Sequence, residues 1–130
     1  MNDVIEHTID FSGGSSRELF AIFMDPKKHS LILNGAMVKF SPEEGKEFSL
    51  LNGNVSGKNL KIVPNRMIVQ SWRGNVWNDD DLDSILILLF SDIAGGCRVR
   101  LVHACTPTQF EELWEEIYWK PIRKYLANSK

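Results

Sequence analysis

The stretch from Thr108 to about Ala127 constrains this chain more than any other. Phe110, Leu113, Trp114, Ile117, Tyr118, Ile122, Tyr125 and Leu126 recur in it at three- and four-residue steps, which places one broad apolar face on an α-helix. Thr108 stands three residues before Glu111, the spacing of a capping box at the helix start. Glu111, Glu112, Glu115 and Glu116 fall in the first half and Lys120, Arg123 and Lys124 in the second, an order that suits the helix dipole. Such a helix is about 30 Å long at about 1.5 Å per residue, and so wide an apolar face needs a large surface to lie on. Pro121 lies inside it, removes one backbone hydrogen bond and is expected to bend the helix near Ile117. On a straight helical wheel Trp119 falls nearly opposite Phe110. It is therefore expected to point away from the buried stripe, packing on a flank, meeting a partner or stacking with Arg123 one turn later.

The residues before this helix read as the surface it needs. Val4 to Phe11 alternates as a first strand and Gly13-Gly14-Ser15-Ser16 breaks it. Ser15 with Glu18 caps a short helix carrying Leu19, Phe20 and Phe23, and Asp25-Pro26 starts a second that Gly35 ends. Strands are expected over Ala36–Phe40, Lys46–Leu50, Asn54–Val63, Met67–Arg73, Ser84–Ser91 and Cys97–Thr106, separated by short breaks rich in Gly, Pro, Asn and Asp. Short breaks join antiparallel neighbours. The expected fold is thus α+β: a curved antiparallel sheet of about six or seven strands wrapped around a long C-terminal helix, with two short helices after the first strand. The 130 residues are expected to form a single domain.

Several functions are argued against by what the chain lacks. A net charge of −2 supplies no basic excess to neutralise phosphates, so neither nucleic acid nor an anionic membrane is an expected partner. The start carries no signal-peptide pattern, and the longest apolar run, Ile85 to Phe90, is too short to span a bilayer, so the expected location is cytoplasmic. Cys97 and Cys105 lie on one expected strand about 26 Å apart, too far for a disulfide. His7, His29 and His103 are scattered without metal-ligand spacing, and the aspartates at 79, 80, 81 and 83 lack the glycine and closing glutamate of a calcium loop. No phosphate loop or nucleophile elbow is present. No catalytic residue, metal or cofactor is therefore expected.

Alternation instead points to a lined interior. His103 shares its strand parity with Val99, Leu101 and Cys105; Gln70 shares that of Ile68 and Trp72; Ser84 that of Leu86, Leu88 and Phe90. Together with Trp114 and Tyr118 from the helix, and Trp77 over the mouth, these residues are expected to line a cavity between sheet and helix. His103, Gln70 and Ser84 would be polar fixtures for a hydrophobic small molecule or lipid. The same three are equally the satisfied polar groups of an ordinary core. An enzyme with His103 as general base, of the hydrolase or cyclase kind, is a third reading.

One resemblance covers nearly the whole chain. The run Leu51-Asn52-Gly53-Asn54-Val55-Ser56-Gly57, then Ile62-Val63-Pro64, then Ile68-Val69-Gln70-Ser71-Trp72-Arg73 with Trp77, resembles the C-terminal domain of activators of the heat shock protein 90 ATPase. Ser84 to Phe90, the Gly-Gly turn leading to Leu101-Val102-His103 and the Trp-rich closing helix continue the match. The resemblance implies a helix-grip fold, shared with steroidogenic lipid-transfer (START) and birch-pollen-allergen-like domains. It also implies a non-enzymatic co-chaperone role with heat shock protein 90 as partner, the chain acting as monomer or homodimer. The eukaryotic co-chaperones carry a further N-terminal domain that makes much of the chaperone contact, and these 130 residues do not include it. Other members of the superfamily bind hydrophobic small molecules instead.

Overall fold

The computed structural model describes residues 3–106 and 111–128. Strand β1 (Asp3–Ser12) leads into helices α1 (Ser16–Met24) and α2 (Pro26–Ile32). Strands β2 (Glu47–Leu50), β3 (Val55–Val63), β4 (Met67–Gly74), β5 (Ser84–Ile93) and β6 (Gly96–Thr106) follow. They form one six-stranded antiparallel sheet in the order β1-β6-β5-β4-β3-β2. The meander from β2 to β6 is completed by β1, which pairs with β6 from Ser12↔Gly96 to Asp3↔Thr106. The C-terminal helix packs on the concave face, with α1 beside it. This is the α+β arrangement expected from the element order, and the helix-grip fold that the resemblance implies.

The two short helices start as their sequences dictate. Ser15 accepts a hydrogen bond from the Glu18 amide, and Asp25 caps α2 by accepting from the Lys27 amide, with Pro26 at the first helical position. Gly14 adopts a positive φ, and a Cβ there would stand 2.9 Å from Leu126 of the C-terminal helix. The glycine lets the turn after β1 approach that helix closely.

The structure departs from the sequence reading at three places. Ala36–Phe40 forms no strand of its own; it touches the sheet through a single bridge, Lys39↔Ser49. Near the end of β6 the register slips opposite Asp3 and Val4, with Cys105 at a φ of 65°. That bulge reverses the alternation, so Thr106 is buried and Cys105 only partly so. The closing helix is also not regular. It runs as α3 (Glu111–Trp114), a π-helical turn (Glu115–Trp119) and α4 (Lys120–Asn128). The Lys120 amide bonds back five residues to the Glu115 carbonyl, immediately before Pro121, which has no amide hydrogen to continue an ordinary ladder. The disturbance expected at Ile117 thus takes the form of a π turn. The capping box at Thr108 and Glu111 and the apolar contact of Phe110 lie outside the described residues.

Candidate functional site

The inward parity read along the strands and helix brings Ile68, Gln70, Trp72, Ser84, Leu86, Leu88, Val99, Leu101, His103, Trp114 and Tyr118 to the same side of the sheet, all buried. They pack against one another. Trp72 and Trp114 stack with ring centroids 5.2 Å apart, Tyr118 lies 4.8 Å from Trp114, and His103 meets both indoles edge-on. The hollow bounded by Leu51, Val55, Trp72, Leu113, Trp114, Ile117 and Tyr118 measures about 60 Å³. A small-molecule site takes about 300 Å³ or more. Among the described residues, large aromatic side chains fill much of the space that the parity rule alone would leave open.

Hydrogen bonding fixes the chemistry of His103. The Trp114 indole can only donate, and its Nε1 lies 3.1 Å from His103 Nδ1, so Nδ1 is the accepting nitrogen. The proton therefore sits on Nε2, which donates to Ser84 Oγ at 2.7 Å, and Ser84 in turn donates to the Trp72 carbonyl at 3.0 Å. A general base would need an accepting Nε2 facing the hydroxyl. Here that nitrogen carries the proton, so this pair does not offer the accepting nitrogen that would activate the Ser84 hydroxyl. Desolvation lowers the His103 pKa to about 3, holding the ring neutral.

Gln70 belongs to a second chain of bonds. Its Oε1 accepts from the Trp72 indole at 2.8 Å and its Nε2 donates to Asn59 Oδ1 at 3.0 Å. Asn59 then donates to the carbonyls of Ser41 and Glu43. Asn59 is fully buried beside a bulge in β3, and the relay ties the 41–45 loop to the core. No buried side-chain nitrogen or oxygen among the described residues is left without a partner.

Two further aromatic–histidine bonds escaped the sequence reading. His29 Nδ1 donates to the Phe23 carbonyl at 3.0 Å, which leaves Nε2 to accept from the Tyr118 hydroxyl at 2.8 Å. Burial lowers the His29 pKa to about 4 and raises that of Tyr118. Trp119 is fully buried and its indole donates to His7 Nδ1 at 3.1 Å. The outward, partner-facing Trp119 expected from a straight wheel is therefore corrected. The π turn inserts an extra residue in the repeat, and Tyr118 and Trp119 both face the core. The signal was present in Pro121, which forbids the regular ladder that the wheel assumes.

Arg123 does not stack on Trp119 but forms a two-pronged pair with Glu115, both side chains about half exposed. Trp77 is also displaced from its expected post over a cavity. Its ring lies 2.5 Å from where a Cβ on Gly74 would stand, packed on the end of β4. Among the described residues no three metal-ligating side chains come together, and no helix is long and apolar enough to cross a membrane. Outside the packed interior a larger groove, about 620 Å³, opens between α2 and α4.

Comparison with known proteins places this geometry. The human activator of 90 kDa heat shock protein ATPase homolog 1 is 26% identical over 114 residues, covering 85% of this chain and 33% of the human protein. The chain likewise spans between 21% and 33% of the length of the curated relatives it matches. Among solved structures, PFC0360w, an HSP90 activator from Plasmodium falciparum, superposes with a TM-score of 0.87 at 20% identity, covering 95% of this chain and 96% of that one. MLL2253 from Mesorhizobium loti gives 0.82 at 15% identity over 98% and 99% of the two chains. At these identities the structural likeness establishes the shared fold. The profile described as activator of Hsp90 ATPase homolog 1-like protein matches residues 14–127, so the chain belongs to the activator of Hsp90 ATPase homolog 1-like family.

Proposed function

We propose that this chain is a non-enzymatic binding domain that engages heat shock protein 90 in the cytoplasm and raises its rate of ATP hydrolysis. The observation that carries the reading is family membership across residues 14–127. Two features of the interior support it. The aromatic packing leaves about 60 Å³ where a hydrophobic ligand would have to lie, and the Ser84–His103 pair holds its proton on the nitrogen that a base would need free. Both favour a surface-acting protein over a carrier or a hydrolase.

Stimulation requires that the domain bind one state of the chaperone more tightly than another, since a ligand with equal affinity for both shifts nothing. Titrating the chain into heat shock protein 90 while following ATP turnover tests this. The expected result is a saturable rise in turnover that the chain alone, free of any ATPase, does not produce. A flat response, together with no detectable binding in the presence of ATP, ADP or no nucleotide, would overturn the reading.

A further inference from the structure

The groove between α2 and α4 has a composition that the interior lacks. Leu31 and Ile32 from α2, with Pro121 and Tyr125 from α4, give it apolar walls, and Leu31 is 62% exposed. Lys120 and Lys124 line it one helical turn apart. Lys120 stands 3.9 Å from the Glu116 carboxylate, with both side chains about 70% exposed, and feels the charge of Glu115, which is itself paired with Arg123. Such a pair contributes little and exchanges readily. Lys124 has no ion partner among the described residues. The groove is also held in shape, because the His29–Tyr118 bond ties α2 to the π turn from which α4 continues. A site shaped beforehand costs less to occupy.

From this arrangement we propose that the groove is a docking site for an amphipathic, acidic helical segment of a protein partner. Its apolar face would lie on Leu31, Ile32, Pro121 and Tyr125, and two carboxylates one turn apart would meet Lys120 and Lys124. The spacing decides between occupants. Two ammonium groups at i and i+4 match two carboxylates repeated at helical spacing, and an apolar groove between helices is the ordinary seat of an amphipathic helix. A fatty acid, with one carboxylate, would leave one lysine unmatched. The proposal concerns this groove alone and stands whichever protein the chain serves.

The test uses the full chain and a synthetic helical peptide of about five turns, roughly 18 residues, with leucines on one face and two glutamates one turn apart on its flank. Fluorescence anisotropy should give saturable binding in the micromolar range that weakens with added salt. Lys120→Glu with Lys124→Glu should weaken it by roughly tenfold or more. Leu31→Asp should do the same, and Lys58→Glu, a charge change on β3, should leave it alone; circular dichroism confirms that each variant is folded. The decisive arm exchanges charges: a peptide with lysines for the glutamates should bind the doubly reversed variant and not the wild type. Several outcomes would overturn the proposal: no saturable binding, equal binding of both peptides by both proteins, stoichiometric displacement by oleate, or a self-associated dimer that Leu31→Asp dissolves. The last two would assign the groove to a fatty acid or to a second copy of the chain.

Discussion

The two faces of the C-terminal helix make opposite use of similar residues. On the sheet side, Trp114, Tyr118 and Trp119 are buried, stacked or tilted against neighbouring rings, and each polar tip has one assigned partner. On the α2 side, Tyr125 and Pro121 border open space with two lysines beside them. Among the described residues every buried side-chain donor on the inner face already has its acceptor; a ligand entering between these rings would have to displace them from a dense core. The outer face has apolar area and charge to spare. The contrast is between a packed face whose rings and polar tips are already engaged and an open one lined by apolar side chains and lysines, and it is what the proposed surface recognition rests on.

The contrast is broken most severely by truncating the interior. Trp114→Ala removes an indole stacked on two others together with the donor to His103 Nδ1, and should cost about 3–5 kcal/mol of stability in urea titrations. Tyr125→Ser at the groove should cost far less. Similar losses at both positions would erase the distinction between a packed face and an open one.

Ser84→Ala should cost about 1–3 kcal/mol, because it removes two buried hydrogen bonds, from His103 Nε2 and to the Trp72 carbonyl. If the domain acts as proposed, this variant still stimulates the chaperone once folded, whereas a hydrolase using Ser84 would be abolished.

Acid sharpens the comparison further. His29 and His103 have folded pKa values near 4 and 3, below the ordinary 6.5. Below pH 6.5 the unfolded chain takes up protons that the folded chain refuses, so stability falls as pH drops from 6.5 toward 4. Each histidine should steepen that slope by up to about 1.4 kcal/mol per pH unit. Replacing His29 with Gln should flatten the slope by about one proton even where it lowers stability at pH 7; an unchanged slope would show that His29 is not held neutral. The smallest effect belongs to the surface: Arg123→Ala should change stability by about 0–1 kcal/mol, since its pair with Glu115 is exposed.

Much of this was legible beforehand, and the misses have physical causes. Period-two alternation placed Gln70, Ser84 and His103 inside, because β4, β5 and most of β6 keep their register. It failed at Cys105, where a bulge slips the register, and a period of 3.6 failed at Trp119, where Pro121 and the π turn change the phase. Parity tells which way a side chain points but not how much space remains once the rings are in place. His29 and Tyr118 were unreadable as a pair because they stand 89 residues apart and meet only through the tertiary fold.

The most direct test of surface recognition around a filled core is a pair of amide and indole nuclear magnetic resonance spectra of the labelled chain, with and without unlabelled heat shock protein 90. The account predicts that backbone signals at the surface shift or broaden while the buried indole signals of Trp72, Trp114 and Trp119 keep their positions. Large shifts of those three indoles, on adding either the chaperone or a hydrophobic small molecule, would mean that the interior opens, and would contradict the account.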